Sequence, residues 1–261
     1  MSTALSPARP AGPPDIRPAT FDDIRESLAA GWRDLRAAPM LGLAFSSVFV
    51  AAGLFGFWIT WVTGTTFWLV LAVMGFPLVG ALAAVGFYEI SRMREAGAPL
   101  SLGAVLAEVR ACSRGQLPWL AAIIVVIFLF WFFLGHMIFA LFLGLAPMKN
   151  ILSSFEVFLT GQGLTMIGFG SAVGAAFALL VFSVSVLGMP MLIDREVDFV
   201  TAMLRSMQAV AARPVVYLGW GLVIAALTLL SMLPLFLGLF VTMPLLGHAT
   251  WHFYRRVSGA G

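Results

Sequence analysis

The stretch LGLAFSSVFVAAGLFGFWITWVTGTTFWLVLAVMGF, residues 41–76, holds no charged side chain. It belongs to a longer uncharged run, 37–88, whose polar break is TGTT at 63–66. About 20 apolar helical residues cross a hydrocarbon core some 30 Å thick. The run is therefore long enough for two spanning helices, about 40–62 and 67–88, joined at the break. Three further uncharged runs follow, at 115–148, 157–193 and 214–254. The first two predict one span each, 118–145 and 165–193. The last predicts a tight hairpin, 215–232 and 235–254, turning near Ser231 and Pro234.

Composition points the same way. The chain is 61% hydrophobic and 10% charged, with a mean hydropathy of +1.00. Soluble domains carry about 25% charged residues, so this chain has too few polar groups to cover a soluble surface. The basic pI of about 9.6 does not point to nucleic acid, because the arginines do not cluster on a soluble domain. A single cysteine, Cys112, excludes an internal disulfide and any CxxC motif. Residues 1–19 are polar and hold five prolines. They do not resemble a signal peptide and are expected to form a disordered cytoplasmic tail. The membrane domain is expected over 20–257, with a short tail at 258–261.

The basic residues orient the spans by the positive-inside rule. With both termini in the cytoplasm, fourteen of the fifteen lie inside and only Lys149 lies outside. The fold class expected is all-α, with six transmembrane helices as three hairpins. A cytoplasmic amphipathic interfacial helix precedes each hairpin. Those helices are legible as apolar stripes at spacings of three and four. The stripes are Phe21, Ile24, Leu28, Trp32 and Leu35; Leu102, Val105, Leu106 and Val109; and Phe199, Met203, Met207 and Val210. Pro39, Pro118 and Pro214 then begin the spans, proline being suited to a first helical turn. FPLVGALAAVGFYEISR (76–92) resembles MPLLGHATWHFYRRVS (243–258), with a fainter echo in GMPMLIDRE (188–196), which suggests a threefold internal repeat. KNILSSFEVFLTG (149–161) reads as a short amphipathic helix on the outer surface.

Little in the spans is reactive. No Asp, Glu, Lys or Arg falls mid-span, which counts against ion-coupled transport, and no GxSxG, phosphate loop or HExxH is present. The only ionisable group deep in a span is His136, expected to bond a neighbouring helix. GSAVG at 170–174 is a GxxxG pattern suited to close helix contact. His248 and His252 share a helix face one turn apart. With Glu89 and Asp194 at similar depth they make a conceivable metal site. The competing reading is an aromatic-plus-basic membrane anchor of Trp251, Tyr254, Arg255 and Arg256, with Trp32 and Tyr88 as further interface anchors. Neither catalytic residues nor a cofactor are expected. The partners expected are the bilayer itself, through anionic headgroups at the cytoplasmic face, and another membrane protein complex.

Three motifs resemble the bacterial family of predicted integral membrane proteins called domain of unknown function 2189. They are Gly31, Trp32, Asp34, Leu35 and Pro39; MPMLIDREVDFVTAM (189–203); and LGHATWHFYRR (246–256). The likeness spans roughly 20–257. It implies a multi-pass protein of the bacterial inner membrane and supplies no activity. Some members are labelled cytochrome c oxidase subunits, a label that three histidines support poorly. The first functional expectation is a non-enzymatic accessory or scaffold protein, associated with a respiratory or other membrane complex. The alternative is a transporter or channel for a neutral or lipid-like solute, and a third is a metal- or haem-binding redox protein.

Overall fold

A computed structural model of the chain describes residues 9–64, 84–144 and 156–259. Among these the fold is all helical. The helices are α1 (Phe21–Ala37), α2 (Pro39–Thr63), α3 (84–95), α4 (Leu102–Cys112), α5 (Leu117–Leu143), α6 (Glu156–Leu159), α7 (Gly161–Ser185), α8 (Gly188–Asp194), α9 (Phe199–Ala212), α10 (Pro214–Met232) and α11 (Leu239–Val257). Among the described residues, four stretches are long and apolar enough to cross a membrane: Pro39–Thr63, Leu117–Leu143, Gly161–Asp194 and Pro214–Met232. They match four of the expected spans. Most of the expected span at 67–88 lies outside the described residues, as does most of the outer segment around Lys149.

The expected sixth span differs. α11 is not among the apolar stretches, and most of it is buried in protein. Its depth follows from α2. A Cβ added at Gly42 would lie 3.2 Å from Pro244, so α2 and α11 cross there. Four residues further along, His248 lies about 6 Å nearer the charged end, level with the start of α2. At the other end, Gly53 packs on Phe236 in the α10–α11 turn, ten residues before α2 ends at Thr63. The C-terminal hairpin is thus shifted toward the charged end, and the last turns of α11 stand clear of the α2 span. Leu235 and Phe236 both adopt left-handed backbone in that turn. Each such residue costs about 1–2 kcal/mol, and the burial of Phe236 against Gly53 offsets this.

The three amphipathic helices form as their sequences predict. Thr20, Ser101 and Asp198 cap them by accepting the backbone N–H three residues on, and Thr20 and Asp23 complete a capping box. Each helix packs on the helical end that precedes it in the chain. α4 packs on α3 through Val105, Ile90 and Met93 and through the Arg92–Glu108 ion pair. α9 packs on α8, where Ala202 meets Gly188 and Ser206 Oγ accepts from the Leu187 N–H at 3.1 Å. α1, the first helix among the described residues, packs on the last one, α11, closing a ring. The crossing is tight, since a Cβ on Gly31 would lie 2.7 Å from Ala249 N and 2.8 Å from Leu245 O.

The face that α1 buries is not the apolar stripe alone. Ile24 is buried, together with Asp23, Ser27, Ala30, Gly31 and Asp34, while Phe21 and Trp32 are exposed. Small and polar side chains meet α11 because only they permit its close approach. The apolar stripe turns toward the spans, with Phe21 against Gly219 on α10 and Leu35 against Gly42 on α2.

The disordered tail expected over 1–19 is corrected for its described part. Residues 9–19 form an ordered strap across the charged end. Arg9 donates to Cys112 Sγ at 3.0 Å. The Gly12 N–H donates to Glu196 O, and the Glu196 N–H to Pro10 O, both at 3.0 Å. The Arg17 N–H donates to Val257 O at 2.9 Å, and Ala19 is buried. Proline already restricts the backbone, so ordering this segment costs less entropy than the polar composition suggests.

Candidate functional site

The ionised residues of α1, α3, α8 and α11 collect into a polar layer at one end of the bundle. Asp34, on α1, is its hub. Its carboxylate accepts from Ser91 Oγ at 2.5 Å, from His252 Nε2 at 2.9 Å, and from the Arg94 guanidinium. The other nitrogen of His252, Nδ1, lies 3.4 Å from Glu95 Oε1, and Glu95 also pairs with Arg255 at 3.0 Å. Arg255 continues to Asp194 at 3.2 Å, where Tyr254 also donates at 2.8 Å. A second cluster joins Glu89 to Arg92 at 2.7 Å, Arg92 to Glu108 at 2.9 Å, and the Cys112 thiol to Glu89 at 3.1 Å.

His248 and His252 share a helix face and have opposite charge states. Burial alone would lower the pKa of His252. The bonds to Asp34 and then Glu95 outweigh it and raise the imidazole to about 9. At neutral pH His252 is a cation between two carboxylates. For His248 burial dominates and pushes the pKa down to about 4, with Asp34 only partly opposing it. His248 is neutral, and its Nδ1 carries the proton, because it lies 3.1 Å from the Phe87 carbonyl oxygen, which can only accept. Ser91 Oγ, 2.9 Å from the same nitrogen, then accepts from His248 while donating to Asp34. His248 Nε2 is buried without a partner among the described residues. Burial would raise the pKa of Asp34, but the bonds from His252 and Ser91 prevail and hold its carboxyl below the usual range.

These shifts predict a two-sided pH profile. The folded state holds the proton on His252 up to about pH 9, whereas an unfolded imidazole releases it near 6.5. Stability that is full below pH 6.5 is therefore lost as pH rises through about 9. His248 acts in the opposite sense. From pH 6.5 down to about 4 the unfolded chain binds the extra proton, and stability falls with falling pH. The full-length protein in detergent is expected to show its highest Tm near pH 6.5. His252→Gln should remove most of the alkaline decline, and a Tm that is level from pH 5 to 9 would contradict both assignments.

The residues proposed for a metal do not converge. Glu89 lies in the Arg92–Cys112 cluster, Asp194 beside Tyr254 and Arg255, and His252 between Asp34 and Glu95. His248 faces Ser91 and Phe87. No group of three or more His, Cys, Asp or Glu side chains forms a metal-binding cluster among the described residues. Of the proposed anchors, Trp32 is exposed and Arg255 and Arg256 are partly so. Tyr88, Trp251 and Tyr254 are buried and face protein. Phe253, beside them, stacks on Trp220 at 6.0 Å and meets Tyr217 edge-on at 5.5 Å. Tyr254 lies on the side of α11 away from α1, where its hydroxyl reaches Asp194 on α8. His136 bonds its own helix, its Nδ1 lying 2.8 Å from Phe132 O, and among the described residues it bonds no neighbouring helix. Gly170 and Gly174 of the GSAVG stretch face α5 at Ile138 and Trp131.

Sequence reading did not single out Ser91, Glu95, Arg94 or the coupling of Cys112 to Glu89, and it used Asp34 only as a motif position. The available signal was a carboxylate on the small-residue face of an amphipathic helix, where burial requires a partner.

The model of the family described as predicted integral membrane protein (DUF2189) matches residues 68–194. This part of the chain is similar to the DUF2189 family. Of the polar layer, the match takes in Glu89, Ser91, Arg92, Arg94, Glu95, Glu108, Cys112 and Asp194, while Asp34, His248 and His252 lie outside it. The chain is an integral membrane protein, and DUF2189 carries no assigned activity in that description. No curated protein matches the chain, and no solved structure does.

Proposed function

We propose that this chain is a non-enzymatic accessory or scaffold protein of the bacterial inner membrane. In this reading six helices enter the bilayer and both termini lie in the cytoplasm. The carrying observation is a contrast between the two halves of the molecule. In the polar layer, Asp34 of α1 is bound to Arg94 of α3, and Asp194 of α8 to Arg255 of α11, an arrangement that locks helices together. In the apolar half, the α5 span is only 17% buried, with Phe130, Phe133 and Leu141 turned outward. A rigid cap on a broad apolar surface suits attachment to another membrane protein, such as a respiratory complex.

A photoreactive amino acid at Phe133, followed by mild-detergent purification, tests this. One defined membrane polypeptide in stoichiometric crosslink is expected, and crosslinks to lipid and to the chain itself alone would overturn the reading. Orientation is tested separately with single cysteines introduced at Arg36 and Lys149. An impermeant maleimide added from the periplasmic side should label only the second.

One observation favours the alternative, a transporter of neutral or lipid-like solutes. The third apolar stretch breaks between α7 and α8, just before Pro190, and Pro244 lies inside α11. Interrupted helices line the substrate sites of many transporters. Solute-dependent counterflow in proteoliposomes would favour that reading over the scaffold.

A further inference from the structure

A cavity of about 350 Å³ opens on the polar layer. Arg17, Arg33, His252, Arg255 and Arg256 line it, with Glu95 as the lining acid. The other carboxylates of the neighbourhood pair with these cations but do not line the cavity: Asp23 on Arg17, Glu26 on Arg256, Asp34 on His252 and Asp194 on Arg255. The cavity wall is therefore cationic even though the surrounding layer is nearly balanced. Arg33 differs from the others. It is exposed and has no ion pair or hydrogen bond among the described residues. A guanidinium fork matches the oxygens of a phosphate group, and several forks on one cavity make a phosphate site without any helix terminus.

The position of the cavity decides between a lipid headgroup and a soluble ligand. α1 turns about 100° per residue, which puts Arg33 and Ala30 on the flank of the helix away from Leu28 and Leu35. The apolar flank is the one that faces the spans, through the contacts of Phe21 with α10 and Leu35 with α2. The cavity, with Gly259 on its rim, opens away from the bilayer. We propose that it binds a small water-soluble, phosphate-bearing anion from the cytoplasm, held by Arg33 together with Arg17, Arg255 and Arg256. Arg17 would keep its bonds to the buried Asp23, and binding would exchange the exposed Arg256–Glu26 pair for contacts to the ligand. Such surface pairs are weak, so little is lost in the exchange.

The test uses the full-length protein in nanodiscs of neutral lipid, with inorganic phosphate and inorganic pyrophosphate as probes and chloride of equal ionic strength as control. Both phosphate probes are expected to raise Tm and to bind saturably by calorimetry, pyrophosphate more tightly. Arg33→Gln should weaken pyrophosphate at least about tenfold, the worth of one charge-assisted bond, without changing the Tm of the free protein. Arg36→Gln, on the same helix but away from the cavity, should leave binding unchanged. Equal losses in the two variants would show diffuse electrostatics and overturn the proposal, as would no binding at all. A second arm replaces neutral lipid with phosphatidylglycerol. If phosphatidylglycerol raises Tm through Arg33 while free phosphate and pyrophosphate do not, the site takes a lipid headgroup and the soluble assignment fails.

Discussion

Gly31→Ala is expected to lower the Tm of the protein by several degrees, against the usual trend. Replacing helical glycine with alanine ordinarily stabilises by up to about 1 kcal/mol. At Gly31 the new methyl would sit 2.7 Å from the backbone nitrogen of Ala249 and 2.8 Å from the carbonyl oxygen of Leu245. Neither atom can rotate away, so α1 must separate from α11. Overpacking of this kind costs about 1–3 kcal/mol. At roughly 2–4 °C per kcal/mol for a chain of this size, the change is readily measured by thermal unfolding in detergent. Gly103→Ala on α4 is the control, because nothing lies within 4 Å of its added Cβ. It should be neutral or slightly stabilising. If both substitutions behave alike, α1 does not cross α11 at Gly31.

Asp34→Asn should cost more still, about 3–5 kcal/mol, the range for breaking a buried ion pair by removing one partner. The amide keeps the shape and can still accept from Ser91. It no longer compensates Arg94 or the His252 cation, and His252 is left with Glu95 alone. Two readouts should therefore change together: Tm should fall at neutral pH, and the alkaline decline in stability should shrink as His252 loses its hold on the proton. Glu26→Gln breaks the Arg256 pair, whose side chains are 34% and 47% exposed, and should cost under about 1 kcal/mol. Similar losses from Asp34→Asn and Glu26→Gln would mean that Asp34 is not the hub of the polar layer.

Much of the scaffold was legible before any coordinates. The apolar runs fall where they do because bilayer thickness dictates their length, and α2, α5, α7 with α8, and α10 coincide with them. The amphipathic helices were legible from periodicity, and their caps are local: Thr20, Ser101 and Asp198 each bond a backbone group three residues away. The candidate site was only half legible. His248 and His252 stood out by spacing alone, which says that they share a face and nothing about what that face meets. Their opposite charge states depend on Asp34, more than two hundred residues away in the chain, and on Ser91 and Glu95. Trp251 and Tyr254 have the composition of an interfacial anchor, yet they are buried in the core, Tyr254 against Asp194 on α8.

The sequence by itself determined that this chain lives in a membrane, where its apolar stretches lie, and which helices are amphipathic. These properties rest on local composition and on periods of three to four residues. Only the tertiary structure decided that α1 closes the ring on α11, that residues 9–19 tie the polar layer together, and that one histidine of the pair is charged while the other is neutral. Each depends on which distant groups burial brings within about 3 Å. A carboxylate, an imidazole and a guanidinium have no fixed charge relation until the fold removes the water between them.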